Sequence, residues 1–146
     1  MPGTDTRLEP LQVLPDSECV LLLRANDLGR IGLVDRDARP LIFPVNYFFE
    51  DGVIAFRTSP GSKLELAPGA EVCFEVDGWD EETRIGWSVL VKGVAHDITH
   101  PRGMPTGRMH FLPVHPRAPG RREHWIGIWT REISGRRFRS GPAAGR

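Results

Sequence analysis

The chain has 146 residues, carries no formal net charge at pH 7, and is 40% hydrophobic and 26% charged. That length predicts one globular domain, and the balanced charge favours neither a nucleic-acid nor a membrane partner. No signal-peptide pattern opens the sequence, and no apolar run is long enough to span a bilayer. Because Cys19 and Cys73 both lie in apolar sequence, we expect a cytoplasmic protein with two reduced core thiols.

The N-terminal third of the sequence begins with a polar, proline-containing stretch, residues 1–15, that we expect to form an arm. A helix should follow, capped by Asp16 or Ser17 and ended by the Asn26–Gly29 segment. Its apolar stripe consists of Cys19, Val20, Leu22 and Leu23.

Strand patterns come next in quick succession. They cover residues 30–35, 41–49, 53–58, 70–77 and 87–96, with a hairpin turn at 50–52. A short helix is expected between the third and fourth of these strands. Five strands with short turns and one inserted helix favour a closed antiparallel barrel over a doubly wound sheet.

The C-terminal part is less regular. Residues 101–123 form a loop rich in Pro, Gly, Arg and His, with one short element expected near 109–112. The last ordered element starts at 124–130, with Trp125 and Trp129 on one face, and continues to Phe138. The sequence thus predicts one domain over 16–138 and a disordered tail over 139–146.

The segment Phe56–Glu65 contains the clearest functional pattern. It is expected to be a strand end, a Pro-Gly turn and a helix start, with Ser62 as N-cap and Glu65 at the capping-box position. Lys63 is unusual there, because a cation in the first turn opposes the positive end of the helix dipole. An anion bound by the hydroxyl and the ammonium would remove that conflict. A capped helix with a solvated lysine and a phosphate site both fit the pattern.

Other polar groups point less clearly to chemistry. The acidic residues Asp77, Asp80, Glu81 and Glu82 are interpreted as a solvated turn, because they lack the spacing of a calcium loop. His96 and His100 are four residues apart, but His96 ends a strand pattern, so no metal site is predicted. Cys73 is expected to pack in a strand rather than to act as a nucleophile.

Several short motifs together resemble a known family. They are Gly29-Arg30-Ile31, Pro44-Val45-Asn46-Tyr47, Arg57–Glu65, Cys73–Asp77 and Gly86-Trp87-Ser88-Val89. In this order they are similar to the pyridoxamine 5'-phosphate oxidase-like, flavin-binding split-barrel family, and within it to the bacterial branch of nitroimidazole-reductase-like proteins. The resemblance runs from about Cys19 to Ile98 and returns weakly over 124–137.

The resemblance implies a mainly β fold, a six-stranded antiparallel split β-barrel with a few short helices. It also implies a homodimer with two flavin-type sites at the subunit interface. By position, Pro44, Val45, Asn46 and Tyr47 would line the cofactor ring. Thr58, Ser62 and Lys63, helped by Arg57, would hold its phosphate. Trp87 and Ser88 would reach the cofactor of the partner subunit, and Trp125 would cover the ring edge.

The function implied by the resemblance is that of an oxidoreductase. FMN is the expected cofactor, with the deazaflavin F420 as an alternative and haem as a further one. The substrate would be a small oxidised molecule such as a nitro compound or a quinone, and no catalytic side chain is predicted. A non-catalytic protein that binds or senses flavin, F420 or haem is the alternative. A barrel that has lost its phosphate site is disfavoured by the presence of Thr58, Ser62 and Lys63.

Overall fold

The structure of the protein is a computed structural model that describes residues 11–99 and 124–141. The described chain is mainly β, with two short helices inserted between strands. The elements are β1 Gln12–Leu14, α1 Asp16–Ala25, β2 Leu28–Val34, β3 Pro40–Asn46, β4 Phe48–Glu50, β5 Val53–Thr58, α2 Ser62–Leu66, β6 Glu71–Asp80, β7 Ile85–Asp97 and β8 His124–Arg139.

The eight strands of the described residues belong to one antiparallel sheet. Seven of them follow the order β3-β2-β6-β7-β8-β5-β4, and β1 pairs with β8 beside this path. Strand β8 is 16 residues long, so it can pair with β7 along one side and with β5 and then β1 along the other. Strands β3 and β4 stand at opposite ends of this order, yet Tyr47 alone separates them in the chain. The sheet therefore curls into a barrel, and β3 approaches β5 without pairing with it.

The core lies inside this curl. Alternate residues of β2 and β6 point inward, as the burial of Ile31, Leu33, Phe74 and Val76 shows. Two strands approach each other closely at Gly29, where a Cβ atom would lie 2.4 Å from the ring of Phe74. Helix α1 packs on the barrel through Cys19 and Leu23.

The predicted elements agree well with the observed ones, and three details differ. The sheet has eight strands rather than six, partly because Gln12–Leu14, within the predicted arm, pairs with β8. The predicted strand 41–49 is interrupted at Tyr47. Helix α1 begins after Pro15 without a side-chain cap, so neither Asp16 nor Ser17 has the expected role.

Two further predictions were wrong. Cys73 is exposed rather than buried, because it lies on the outward face of β6 beside Gly32; Cys19 is buried as expected. Asp77 and Asp80 belong to strand β6, so the turn starts only after Asp80, whose carboxylate accepts the backbone N–H groups of Glu82 and Thr83.

The loop 101–123, with its element near 109–112, and the tail 142–146 lie outside the described residues. Neither helix in the described part of the chain has the length and hydrophobicity needed to cross a bilayer.

Candidate functional site

A cleft of about 760 Å³ opens where the barrel is split, between β3 and β5. It contains every residue predicted to bind cofactor except Trp87 and Ser88. The lining residues are Pro44, Val45, Asn46, Tyr47, Phe48, Ala55, Phe56, Arg57, Thr58, Ser59, Pro60, Gly61, Ser62, Lys63 and Trp125. The fold thus brings two segments, 44–48 and 55–63, to the two sides of one opening.

The cleft carries two positive charges. Arg57 and Lys63 both line it, and no carboxylate is among the described lining residues. The Lys63 ammonium lies 4.7 Å from the centre of the Phe43 ring, a cation–π contact that an anionic ligand could replace. The buried hydroxyl of Thr58 donates to the carbonyl of Ser59 (3.1 Å).

The expected capping box does not form. Gly61 rather than Ser62 is the N-cap of α2, and no side chain caps the helix. Ser62 is already the first helical residue, and the Glu65 N–H donates to the Gly61 carbonyl (3.0 Å). The Ser62 hydroxyl therefore has no capping role. Its contact with the phosphate of a ligand stays a prediction.

Trp125 forms an aromatic wall of the cleft. The residue is only 9% exposed, and its ring meets the ring of Phe48 edge-on, with centroids 5.9 Å apart. The Arg57 guanidinium lies 5.7 Å from the indole centre, because Arg57 and Trp125 are partners across β5 and β8. An aromatic ring and a positive charge therefore lie side by side in the cleft.

The open edge of β3 supplies backbone groups to the cleft. The Tyr47 N–H donates to the Asp27 carbonyl (2.8 Å), and the Asp35 N–H donates to the Arg39 carbonyl (2.9 Å). These two bonds show that the backbone N–H and C=O groups of the odd-numbered residues of β3 point toward β2. Backbone groups alternate in direction along a strand. The backbone groups of Pro44 and Asn46 therefore point away from β2, toward the split.

Tyr47 lines the cleft as predicted by position, and its side chain also holds helix α1. Its side chain is 5% exposed, and its hydroxyl donates to the Leu23 carbonyl of α1 (2.7 Å). Its ring meets Phe74 edge-on, with centroids 5.0 Å apart. Burial, reinforced by the charge of Asp27, raises the pKa of Tyr47 to about 12. The hydroxyl is thus used to hold α1 and is not available to a ligand.

Trp87 and Ser88 do not reach the cleft of their own chain. Trp87 packs over Gly78, where a Cβ atom would lie 2.4 Å from the indole Nε1. Ser88 stands between Asp77 and Arg136 across the neighbouring strands. Their predicted contact with a partner's cofactor stays a prediction.

The described histidines form no metal centre. His96 packs edge-on against Trp129, with centroids 4.9 Å apart, and residues 11–99 and 124–141 contain no group of three metal-ligating side chains. His100, His110 and His115 lie outside the described residues.

Six lining residues were not among the predicted site residues. Phe56, Ser59, Pro60 and Gly61 belong to the segment already singled out, whereas Phe48 and Ala55 lie outside it. The predicted turn at 50–52 could have identified them, since a hairpin that joins Glu50 to Val53 also pairs Phe48 with Ala55. The small side chain of Ala55, opposite the ring of Phe48, leaves space for the cleft.

Comparison with known proteins identifies the family. Residues 15–137 match the family described as pyridoxamine 5'-phosphate oxidase. The chain belongs to this family. The resemblance inferred from the short motifs is thereby confirmed.

Among curated relatives, an uncharacterized protein of Mycobacterium tuberculosis is 36% identical over 94 residues, which are 60% of this chain and 61% of that protein. The chain therefore matches less than two thirds of that relative's length.

Several solved structures have a fold similar to that of this chain. An FAD binding protein from Mycobacterium smegmatis is 34% identical, with a TM-score of 0.75 over 89% of this chain and 100% of that one. An FAD-binding protein from Mesorhizobium loti is 27% identical, with a TM-score of 0.73 over 90% of this chain and 98% of that one. A putative 5-nitroimidazole antibiotic resistance protein from Bacteroides thetaiotaomicron, 13% identical with a TM-score of 0.67 over 90% of each chain, shares the fold alone.

Proposed function

We propose that the protein is a flavin-dependent oxidoreductase that binds its cofactor in the cleft between β3 and β5. The observation that carries this proposal is the combination of groups that line the cleft. Arg57 and Lys63 supply two positive charges, and Trp125 and Phe48 supply aromatic rings to the same cleft. A phosphate on a short chain attached to a planar ring matches this combination.

The residues present fit a flavin. Lys63 and Arg57, with the hydroxyl of Ser62, would hold the first phosphate, and the outward backbone groups of β3 would meet the polar edge of the ring. Thr58 would join them by releasing the Ser59 carbonyl to which its hydroxyl donates. FMN is the smallest flavin that carries a phosphate. FAD contains the same ring and first phosphate, and the similarity to the FAD binding protein of Mycobacterium smegmatis supports the flavin class.

The cofactor, when bound, supplies hydride or electron transfer, and the protein contributes binding, orientation and electrostatics. This division of roles agrees with a cleft whose described titratable residues are Arg57, Tyr47 and Lys63, with Tyr47 hydrogen-bonded to α1. The proposed substrate is a small oxidised molecule such as a nitro compound or a quinone. Oxidation of pyridoxamine phosphate is less favoured, because the described lining residues include no histidine, and no arginine besides Arg57, to bind a substrate phosphate.

The first experiment measures flavin binding. Purified protein is titrated with FMN, FAD, F420 and haem in separate samples, followed by visible absorption and by quenching of flavin fluorescence. We expect FMN or FAD to bind, and Lys63→Ala to weaken binding by about 1.5–3 kcal/mol, or roughly 10- to 150-fold, the range for a charge-assisted hydrogen bond. Lys92→Ala is the matched control, since Lys92 is the other lysine of the sequence and pairs with Glu132 on the outer face of the sheet (3.7 Å).

The outcomes separate the candidate functions. Flavin binding that Lys63→Ala leaves unchanged would place the ligand elsewhere. A Soret band with haem but no flavin spectrum would replace the flavin proposal by haem binding. If flavin binds, turnover of nitro compounds and quinones with NAD(P)H decides between an enzyme and a non-catalytic flavin-binding protein.

We also propose that the protein is a homodimer in which Trp87 and Ser88 of one subunit reach the cleft of the other. The support is that both residues lie outside their own cleft, while the sheet's outer face exposes apolar side chains such as Ile42 and Leu28. Light scattering should give twice the chain mass, and Trp87→Ala should weaken flavin binding. A monomer that binds flavin with unchanged affinity after Trp87→Ala would contradict the proposal.

A further inference from the structure

A chain of hydrogen bonds joins the end of β7 to the aromatic wall of the cleft. The Thr99 hydroxyl donates to Asp97 Oδ1, and the Thr99 backbone N–H donates to the same oxygen (2.9 Å). The backbone N–H of Trp125 donates to Thr99 Oγ1 (3.1 Å). The Ile98 N–H, in turn, donates to the Trp125 carbonyl (2.8 Å), so both backbone polar groups of Trp125 are bound by residues 98–99.

The direction of these bonds gives Asp97 a defined role. A threonine hydroxyl has one proton, so it can present a free lone pair to an N–H only if its proton is directed elsewhere. The carboxylate of Asp97 takes that proton, because an ionised carboxylate is an acceptor only. Asp97 therefore fixes the orientation in which Thr99 can accept from Trp125.

The position of Trp125 affects two groups that line the cleft. Its ring is the aromatic wall, and the same ring lies beneath the guanidinium of Arg57. Neither Thr99 nor Asp97 is among the described residues that line the cleft. Among the described residues, Trp125 therefore links Thr99 to the cleft.

We propose that Thr99 is a positioning residue for the flavin cleft, which holds Trp125, and with it Arg57, in the geometry that receives the cofactor. This inference rests on the proposed function. It assigns part of the cleft's affinity to a residue outside the cleft, with Asp97 as the group that orients it.

The test compares Thr99→Val, which keeps the shape but removes both hydrogen-bonding functions, with Thr99→Ser, which restores the hydroxyl. Thr83→Val is the matched control: Thr83 also hydrogen-bonds an aspartate, Asp80, but in the turn between β6 and β7. Two readouts are taken on each full-length variant. One is the dissociation constant for FMN or FAD. The other is the ¹⁹F NMR spectrum of ligand-free protein labelled with fluorotryptophan, in which the resonance of Trp125 is assigned through Trp125→Phe.

We expect Thr99→Val to shift or broaden the Trp125 resonance and to weaken flavin binding about fivefold, the effect of losing one typical hydrogen bond. Thr99→Ser should restore both readouts, and Thr83→Val should change neither. A shifted resonance with unchanged affinity would overturn the proposal, because Trp125 could then move without consequence for the ligand. Unchanged affinity and an unchanged resonance would also overturn it.

The proposed function and the positioning role of Thr99 can fail independently. If the wild-type protein binds no flavin, the proposed function fails, whereas an unchanged Trp125 resonance in Thr99→Val shows that the positioning role itself is wrong. If Thr99→Val does not fold, Asp97→Ala tests the same chain of bonds, because it removes the acceptor that orients the Thr99 hydroxyl. It should shift both readouts in the same direction by a smaller amount, and no change in either would count against Thr99.

Discussion

Tyr47 is the single tyrosine of the chain, and it joins three parts of the structure at one point. Its backbone N–H binds Asp27, its hydroxyl binds Leu23, and its ring contacts Phe74. It also occupies the one position between β3 and β4, beside the cleft. The side chain therefore holds helix α1 against the place where the sheet changes direction.

Tyr47 should make stability depend on pH in the alkaline range. Its pKa is raised to about 12 in the folded protein, against about 10 when unfolded. The proton is bound more tightly in the folded state, so the stabilisation is complete below pH about 10 and is lost as pH rises toward 12. We expect the free energy of unfolding to fall over this interval in the wild type, and the fall to be smaller in Tyr47→Phe.

Two measurements check this prediction. Ultraviolet titration of tyrosinate follows this residue alone, because the chain has no other tyrosine. Denaturant unfolding at stepped pH compares wild type with Tyr47→Phe, which should itself cost about 1 kcal/mol at neutral pH through the lost hydrogen bond. Titration of the folded protein near pH 10 would show that the hydroxyl is not buried as described.

At the scale of single residues, the sequence predicted a shared location for groups that lie along one segment. Arg57, Thr58, Ser62 and Lys63 were expected to share a phosphate site, and all four line the same cleft, while their binding of a phosphate stays a prediction. The outward direction of Cys73 was not predicted, because strand alternation gives two faces and the choice between them depends on the neighbouring strands.

At the scale of elements, the close approach of β2 and β6 is the most demanding contact. Gly29 lies against the fully buried ring of Phe74, and a Cβ atom there would also lie 3.0 Å from the Glu75 carbonyl oxygen. The contact lets two strands of the barrel pack with a large ring between them.

Replacing Gly29 by alanine should therefore destabilise the fold. We expect a loss of about 1–3 kcal/mol in the free energy of unfolding, the usual cost of forcing extra atoms into a packed core. Gly141→Ala is the control, because nothing lies within 4 Å of the Cβ position there. Chemical denaturation measures both, and equal stability of the two variants would refute the close contact.

The positions of the helices and strands were predicted from patterns of hydrophobic residues, but the residues at which they begin and end were not predicted correctly. The helix cap at Pro15 and the N-cap at Gly61 depend on backbone conformation, which the same residue types can satisfy in several ways. The interruption of 41–49 at Tyr47 arises because β3 pairs with β2 whereas β4 pairs with β5. The alternation of side chains along one segment does not show that the second half of the segment pairs with a different strand.

At the scale of the whole molecule, strand β8 joins the two parts of the sheet. It lies between β7 and β5, and its residues Ile126 and Ile128 are fully buried in the core. The larger buried cluster includes side chains from β2, β5, β6, β7 and β8. We therefore expect the barrel to unfold as one cooperative unit.

Ile128→Ala should test this organisation. The side chain is 0% exposed, so its removal should cost about 2–5 kcal/mol and lower the midpoint of the whole transition. Leu21→Ala is the control, since Leu21 on α1 is 63% exposed and should change stability by less than about 0.5 kcal/mol. Circular dichroism and tryptophan fluorescence should give coincident curves, and separate transitions would show that the two parts of the sheet unfold independently.

The barrel class was predictable because short strands with turns leave few other arrangements, and the resemblance agreed with the observed fold. The order of strands in the sheet was not predictable, because it depends on contacts between residues far apart in sequence. Arg57 and Trp125 show this clearly, because they are 68 positions apart and meet only through the pairing of β5 with β8.

The open edge of β3 has a consequence for association between molecules. A strand edge with unpaired backbone groups can recruit a strand from another chain and start aggregation. In β3 the outward positions include Pro40 and Pro44, which have no N–H to donate. An incoming strand would find two donors missing along this short edge. The opening that admits a ligand is thus poorly suited to polymerisation, and the protein can keep its barrel split without becoming a template for fibres.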